Sequence, residues 1–102
     1  MSGIFLEPES TFSVTVKNTG GGTFELTEGG EIKLRTCIGR EYAEAQAQIR
    51  SRDVVAQFDS FPKFVLSGIE KADLKRLHPN AVALMMLEVL KRSHLQEEAS
   101  GN

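Results

Sequence analysis

The stretch from Pro79 to Leu95 limits the possible folds of this chain more than any other. Val82, Met85, Met86, Val89 and Leu90 recur at helical spacing, and Leu84 and Leu87 widen the stripe. Pro79 suits a first helical turn, where its missing N–H leaves no hydrogen bond unmade. Lys91, Arg92 and His94 stand near the far end, where the helix dipole favours cations. An apolar face this broad must be covered, either by other elements of the chain or by a partner.

The upstream half has a different period. Residues 11–16 alternate, with Phe12, Val14 and Val16 on one face and Thr11, Ser13 and Thr15 on the other, the pattern of a half-buried strand. Asn18 to Gly22 reads as a turn. It lacks the Gly-Lys-Ser/Thr ending of a phosphate loop. Phe24 and Leu26 mark a second short strand, Gly29-Gly30 a tight hairpin, and Ile32 and Leu34 a third strand ending at Arg35. So small a sheet needs helix cover to be stable.

Helix formers dominate from Arg40 to Ala56, with Tyr42, Ala45, Ile49 and Ala56 on one face, Val55 alongside, and Thr36 as a candidate cap. Pro62 predicts a break after Phe61 and a short helix through Ser67, closed by Gly68. Asp73 is placed to cap a further turn from Leu74 to Leu77. The expected fold is α+β: a small N-terminal antiparallel sheet or hairpin set packed against three to four C-terminal helices. Residues 1–102 form one domain, with an arm at 1–10, a strand-rich part at 11–35, a helical part at 36–95 and a flexible tail at 96–102. Within the arm, Ile4-Phe5-Leu6 reads as an edge strand or a docking segment, with a disordered N-terminus as the alternative.

Few residues suggest chemistry. Cys37 is the only cysteine, which excludes an intrachain disulfide and suits a reducing compartment. A nucleophilic thiol would need a base or a positive field beside it. Otherwise Cys37 is a small buried residue at a strand–helix junction. His78 and His94 are too far apart for the i, i+4 spacing of a shared helical metal site. Asp53, Asp59 and Asp73 are not embedded in apolar stretches and read as solvated surface carboxylates. Lys75-Arg76 and Lys91-Arg92 are the candidate phosphate contacts, but the net charge of −2 opposes a nucleic-acid binder. No signal peptide or membrane span is visible, so the expectation is a cytoplasmic protein without cofactor, metal or catalytic residues.

The apolar residues carry more information. Phe58, Phe61, Phe64, Leu84, Met85, Met86, Leu87 and Leu90 are divided between the core and an interface with another copy or another protein. Methionine suits such a surface because its thioether adapts to irregular partners.

Gly30-Glu31-Ile32-Lys33-Leu34-Arg35 feeding a helix, the Leu66-Ser67-Gly68-Ile69 step, Asp73-Leu74-Lys75-Arg76-Leu77 and the closing helix together resemble the tail assembly chaperones of long-tailed bacteriophages, over residues 30–95. The resemblance implies a non-enzymatic, oligomeric strand-plus-helix protein that coats the helical tape measure protein in the host cytoplasm and leaves before the virion is finished. A structural subunit of the tail or head–tail connector, retained in the particle, remains an alternative. So does a small nucleic-acid-binding protein.

Overall fold

The computed structural model describes residues 10–100. In chain order these form β1 (Thr11–Gly20), β2 (Thr23–Glu28), β3 (Ile32–Arg35), α1 (Gly39–Ser51), α2 (Val54–Ser60), a 3-10 turn (Phe61–Phe64), β4 (Val65–Ser67), α3 (Lys71–Leu74) and α4 (Pro79–Ser100). The architecture is α+β, with a four-stranded antiparallel sheet in the order β2-β1-β3-β4 packed against the helices. Of the predicted arm, all but Ser10 lies outside the described residues. Of the predicted tail, residues 96–100 continue α4 and the last two lie outside.

Strand β1 is long enough to serve two neighbours. Residues 11–14 pair with β3 and residues 14–20 with β2. Its alternation determines which face is covered: Phe12 and Val14 are buried, and Thr11 and Thr15 are exposed. The sequence predicts a tight hairpin at Gly29-Gly30, but β2 and β3 do not pair. Val14 faces Glu28 on one side and Ile32 on the other, so the chain crosses β1 between these two strands. Gly30 makes that crossing possible. A Cβ there would strike the Thr15 hydroxyl and the Val14 carbonyl oxygen.

Three helical boundaries also differ from the sequence reading. The helix predicted over residues 40–56 is two helices, because Arg52 adopts a left-handed conformation (φ 56°) that closes α1, and the Asp53 carboxylate then accepts from Ala56 N–H at 3.1 Å to open α2. The helix predicted over residues 62–67 is a 3-10 turn followed by β4, where Val65 pairs with Leu34. Asp73 lies inside α3 instead of capping a later turn. Thr36 caps no helix either. It is buried, and its hydroxyl accepts the Ser10 N–H at 3.0 Å. At the start of α4, His78 Nδ1 accepts from the Asn80 N–H, and the Asn80 amide donates to Gly22 O at 2.7 Å, which fixes α4 against the β1–β2 turn.

Helix α4 supplies more of the core than any other element. Val82, Met85, Met86 and Val89 are buried, with Leu90, against Phe12, Val14 and Leu34 from the sheet and Phe61 and Phe64 from the 3-10 turn. Two arginines clamp the layers. Arg92 lies 4.5 Å over the Phe12 ring and pairs with Glu88 at 2.8 Å and Glu28 at 3.2 Å, joining α4 to the sheet. Arg35 lies 5.2 Å over Phe64, donates from Nε to Lys63 O at 2.8 Å, and grips Glu41 with both terminal nitrogens at 2.9 and 3.0 Å.

The Arg35 hydrogen bond holds the Glu41 carboxyl below its ordinary pKa of 4.5, against the opposing effect of burial. A carboxylate whose pKa is depressed on folding stabilises the fold above its unfolded pKa and loses that contribution as the pH falls through the folded value. Stability should therefore decline as the pH drops below about 4.5, and Glu41→Gln should flatten that part of the profile. Urea midpoints measured from pH 6 to pH 3 check this. An unchanged slope in the variant would assign the acid sensitivity to other groups.

Candidate functional site

The fold leaves an apolar cleft beside the edge strand. Residues of α2, the 3-10 turn, β4 and α3 surround about 370 Å³, lined by Phe58, Pro62, Val65, Leu66, Ile69 and Leu74, with Lys71 and Lys75. That volume is near the lower end of ordinary ligand pockets, about 300–1,000 Å³. Leu74 is buried, Phe58, Val65 and Ile69 are half-buried, and both lysines are exposed. Among the described residues, no acidic side chain lines the cleft.

The position of Leu66 follows from strand pairing. Lys33 faces Ser67 while Leu34 faces Val65, so β4 carries one more residue than β3 across this step. Leu66 is that extra residue. A bulge turns a side chain out of the regular alternation, and Leu66 is 48% exposed. Among the described residues β4 is the edge strand, with no strand on its other side.

A second, shallower apolar groove runs between α1 and α4. Tyr42, Ile49, Leu87 and Leu90 line it, with Lys91 and His94 at one end. It continues through Ile49 and Leu87 toward Val54 and Pro79.

Four of the residues shared between core and interface in the sequence reading belong to the core. Phe61, Phe64, Met85 and Met86 are at most 2% exposed, and no partner can reach them in the folded chain. Leu90 is also buried, with its edge on the α1–α4 groove. Leu84 is half-buried, Leu87 is exposed in the groove, and Phe58 lines the cleft. The sequence reading missed Val65, Leu66, Ile69, Lys71, Leu74 and Lys75 as a group. The available signal was the apolar content flanking Gly68, which a helix ending at Ser67 does not explain.

The residues that suggested chemistry are dispersed. Cys37 is fully buried, its backbone N–H donates to Ser93 Oγ at 2.9 Å, and its sulfur lies 3.7 Å from the same oxygen. Ser93 Oγ in turn donates to Val89 O at 2.6 Å, so this hydroxyl ties the strand–helix junction to α4. His78 caps α4 and lies 5.2 Å from the Phe24 ring, whereas His94 borders the α1–α4 groove. Asp53 caps α2, and Asp59 and Asp73 are exposed. Lys75 and Arg76 are exposed, but Arg92 is engaged with Glu88, Glu28 and Phe12, which removes it from the Lys91-Arg92 pair. Among the described residues, no three His, Cys, Asp or Glu side chains gather as metal ligands, and no helix is long and apolar enough to cross a membrane. No family model matches the chain, and no curated protein or solved structure is similar to it at a significant level.

Proposed function

We propose that this chain is a non-enzymatic protein-binding module that holds an apolar, acid-flanked segment of a partner in the cleft between β4 and α3. The observation that carries this reading is the bulged Leu66, held at the mouth of an apolar cleft whose charged lining, among the described residues, is Lys71 and Lys75. Apolar side chains of the partner would fill the cleft, and its carboxylates would meet the lysines. The resemblance to tail assembly chaperones makes the helical tape measure protein the proposed client. Many copies, each binding weakly, would coat it by multivalency.

Binding is tested with overlapping fluorescent peptides of the tape measure protein. Leu66→Glu should weaken the best-bound peptide by about 10- to 150-fold, the range for loss of an apolar anchor worth about 1.5–3 kcal/mol. Reversing both lysines should weaken it further at low salt. Leu87→Glu, in the other groove, should change affinity little. Equal losses from Leu66→Glu and Leu87→Glu would refute the cleft as the site. Protein analysis of purified particles separates the two assembly roles, since a chaperone is absent there and a structural subunit is retained.

A further inference from the structure

We propose that the trough between α1 and α4 is a docking site for one acidic amphipathic helix of about four turns. This surface is separate from the β4–α3 cleft, and neither site needs the other. Three observations support it.

The first is shape. The two apolar sections beside α4 share Ile49 and Leu87, so they form one trough, from Val54 and Pro79 at one end to Tyr42 and His94 at the other. From Pro79 to His94, α4 runs about 22 Å, the length of a helix of about 15 residues. Leu87 and Val54 are 48% and 43% exposed, whereas Leu90 is buried and Tyr42, Ile49 and Ala83 are half-buried. The ridge of a third helix packs into the groove that two neighbouring helices present. Such a ridge reaches the half-buried Ile49 and Tyr42, which a flat anionic membrane surface does not.

The second is charge. Arg50, Arg52 and Lys91 line the trough and are exposed, and among the described residues no acidic side chain lines it. The third is that these cations lack partners within the chain. Glu41 is held by Arg35, Glu44 by Arg40 and Glu88 by Arg92, whereas Arg50, Arg52 and Lys91 form no ion pair among the described residues. Carboxylates flanking the apolar face of an incoming helix would meet them, while that face covers Leu87, Ile49 and Val54.

The test uses the full chain and a fluorescent peptide of about 15 residues, with leucines on one helical face and glutamates beside them. Two control peptides accompany it. One is a scramble that disperses the leucines, and the other has lysine in place of glutamate. The acidic helix should bind at low salt and weaken as salt rises. It should shift the NMR signals of Ile49, Val54, Ala83 and Leu87 and spare those of Leu66 and Ile69. Leu87→Glu should weaken binding by about tenfold or more, as should Arg50→Glu combined with Lys91→Glu. All three positions are exposed, so these variants keep the fold. Leu66→Glu should leave binding unchanged. The inference is overturned if the acidic helix does not bind, if either control binds as tightly, or if Leu66→Glu causes the same loss as Leu87→Glu. A dimer seen by light scattering that Leu87→Glu dissociates would overturn it too, by making a second copy the occupant. So would anionic lipid vesicles that bind through Leu87 when the peptide does not. Failure of the cleft shows at Leu66 and failure of the trough at Leu87, so the two readings fail separately.

Discussion

Phe61→Ala should destabilise the fold by about 3–5 kcal/mol, the cost of removing a fully buried aromatic ring and leaving a cavity. Phe61 is 1% exposed where α2 meets the 3-10 turn, and that turn packs against α4. A domain of this size has about 5–15 kcal/mol in total, so the loss is a large fraction of it. Leu87→Ser is the matched comparison. Leu87 is on the apolar stripe of α4 but 48% exposed, and its replacement should cost under about 1 kcal/mol. Chemical denaturation of both variants decides the matter. A loss below 1 kcal/mol for Phe61→Ala with a larger one for Leu87→Ser would reverse the assignment of core and surface.

Gly68→Ala should cost about 2–4 kcal/mol and detach β4 from β3. Gly68 has φ +94°, a region that L-residues rarely adopt, and strain of that kind costs about 1–3 kcal/mol. There is also no room. A Cβ would collide with the Glu31 carbonyl group and the Ile32 Cα, which are backbone atoms that cannot rotate away. Gly29→Ala separates the two effects, since φ is +87° there but nothing lies within 4 Å of the added Cβ. It should cost only the strain. Amide exchange should quicken at Lys33 and Ser67 in the Gly68 variant, because these residues face each other across β3 and β4. Unchanged exchange would mean that β4 is held by its side chains alone. Since β4 carries Leu66, the same variant should also weaken client peptides in the proposed site.

These two positions show how far the sequence could be read. Phe61 was legible as part of an aromatic cluster, but its neighbours in space were not, so core and interface could not be separated there. Gly68 was legible as a break. That it faces the Glu31–Ile32 backbone depends on a contact between segments more than thirty residues apart. Strand β4 was missed because three residues with one bulge show no period of two. The cleft was missed with it, since Val65, Leu66 and Ile69 of its lining come from β4 and the turn into α3. The crossing at Gly30 was missed for a related reason: two glycines report a change of direction but not which strand lies beneath them.

Periodicity is local, and what it determined held in the fold. The alternation along β1 assigned Phe12 and Val14 to the covered face. The helical spacing after Pro79 put Val82, Met85, Met86, Val89 and Leu90 on one face, and the fold buries that face. Each follows from the backbone's own geometry, in which side chains repeat every two residues in a strand and every 3.6 in a helix. Which faces meet, where β4 pairs, and which apolar residues remain at the surface were decided only by tertiary structure. Those outcomes depend on packing between distant segments, where a fixed backbone volume admits one arrangement and excludes its neighbours.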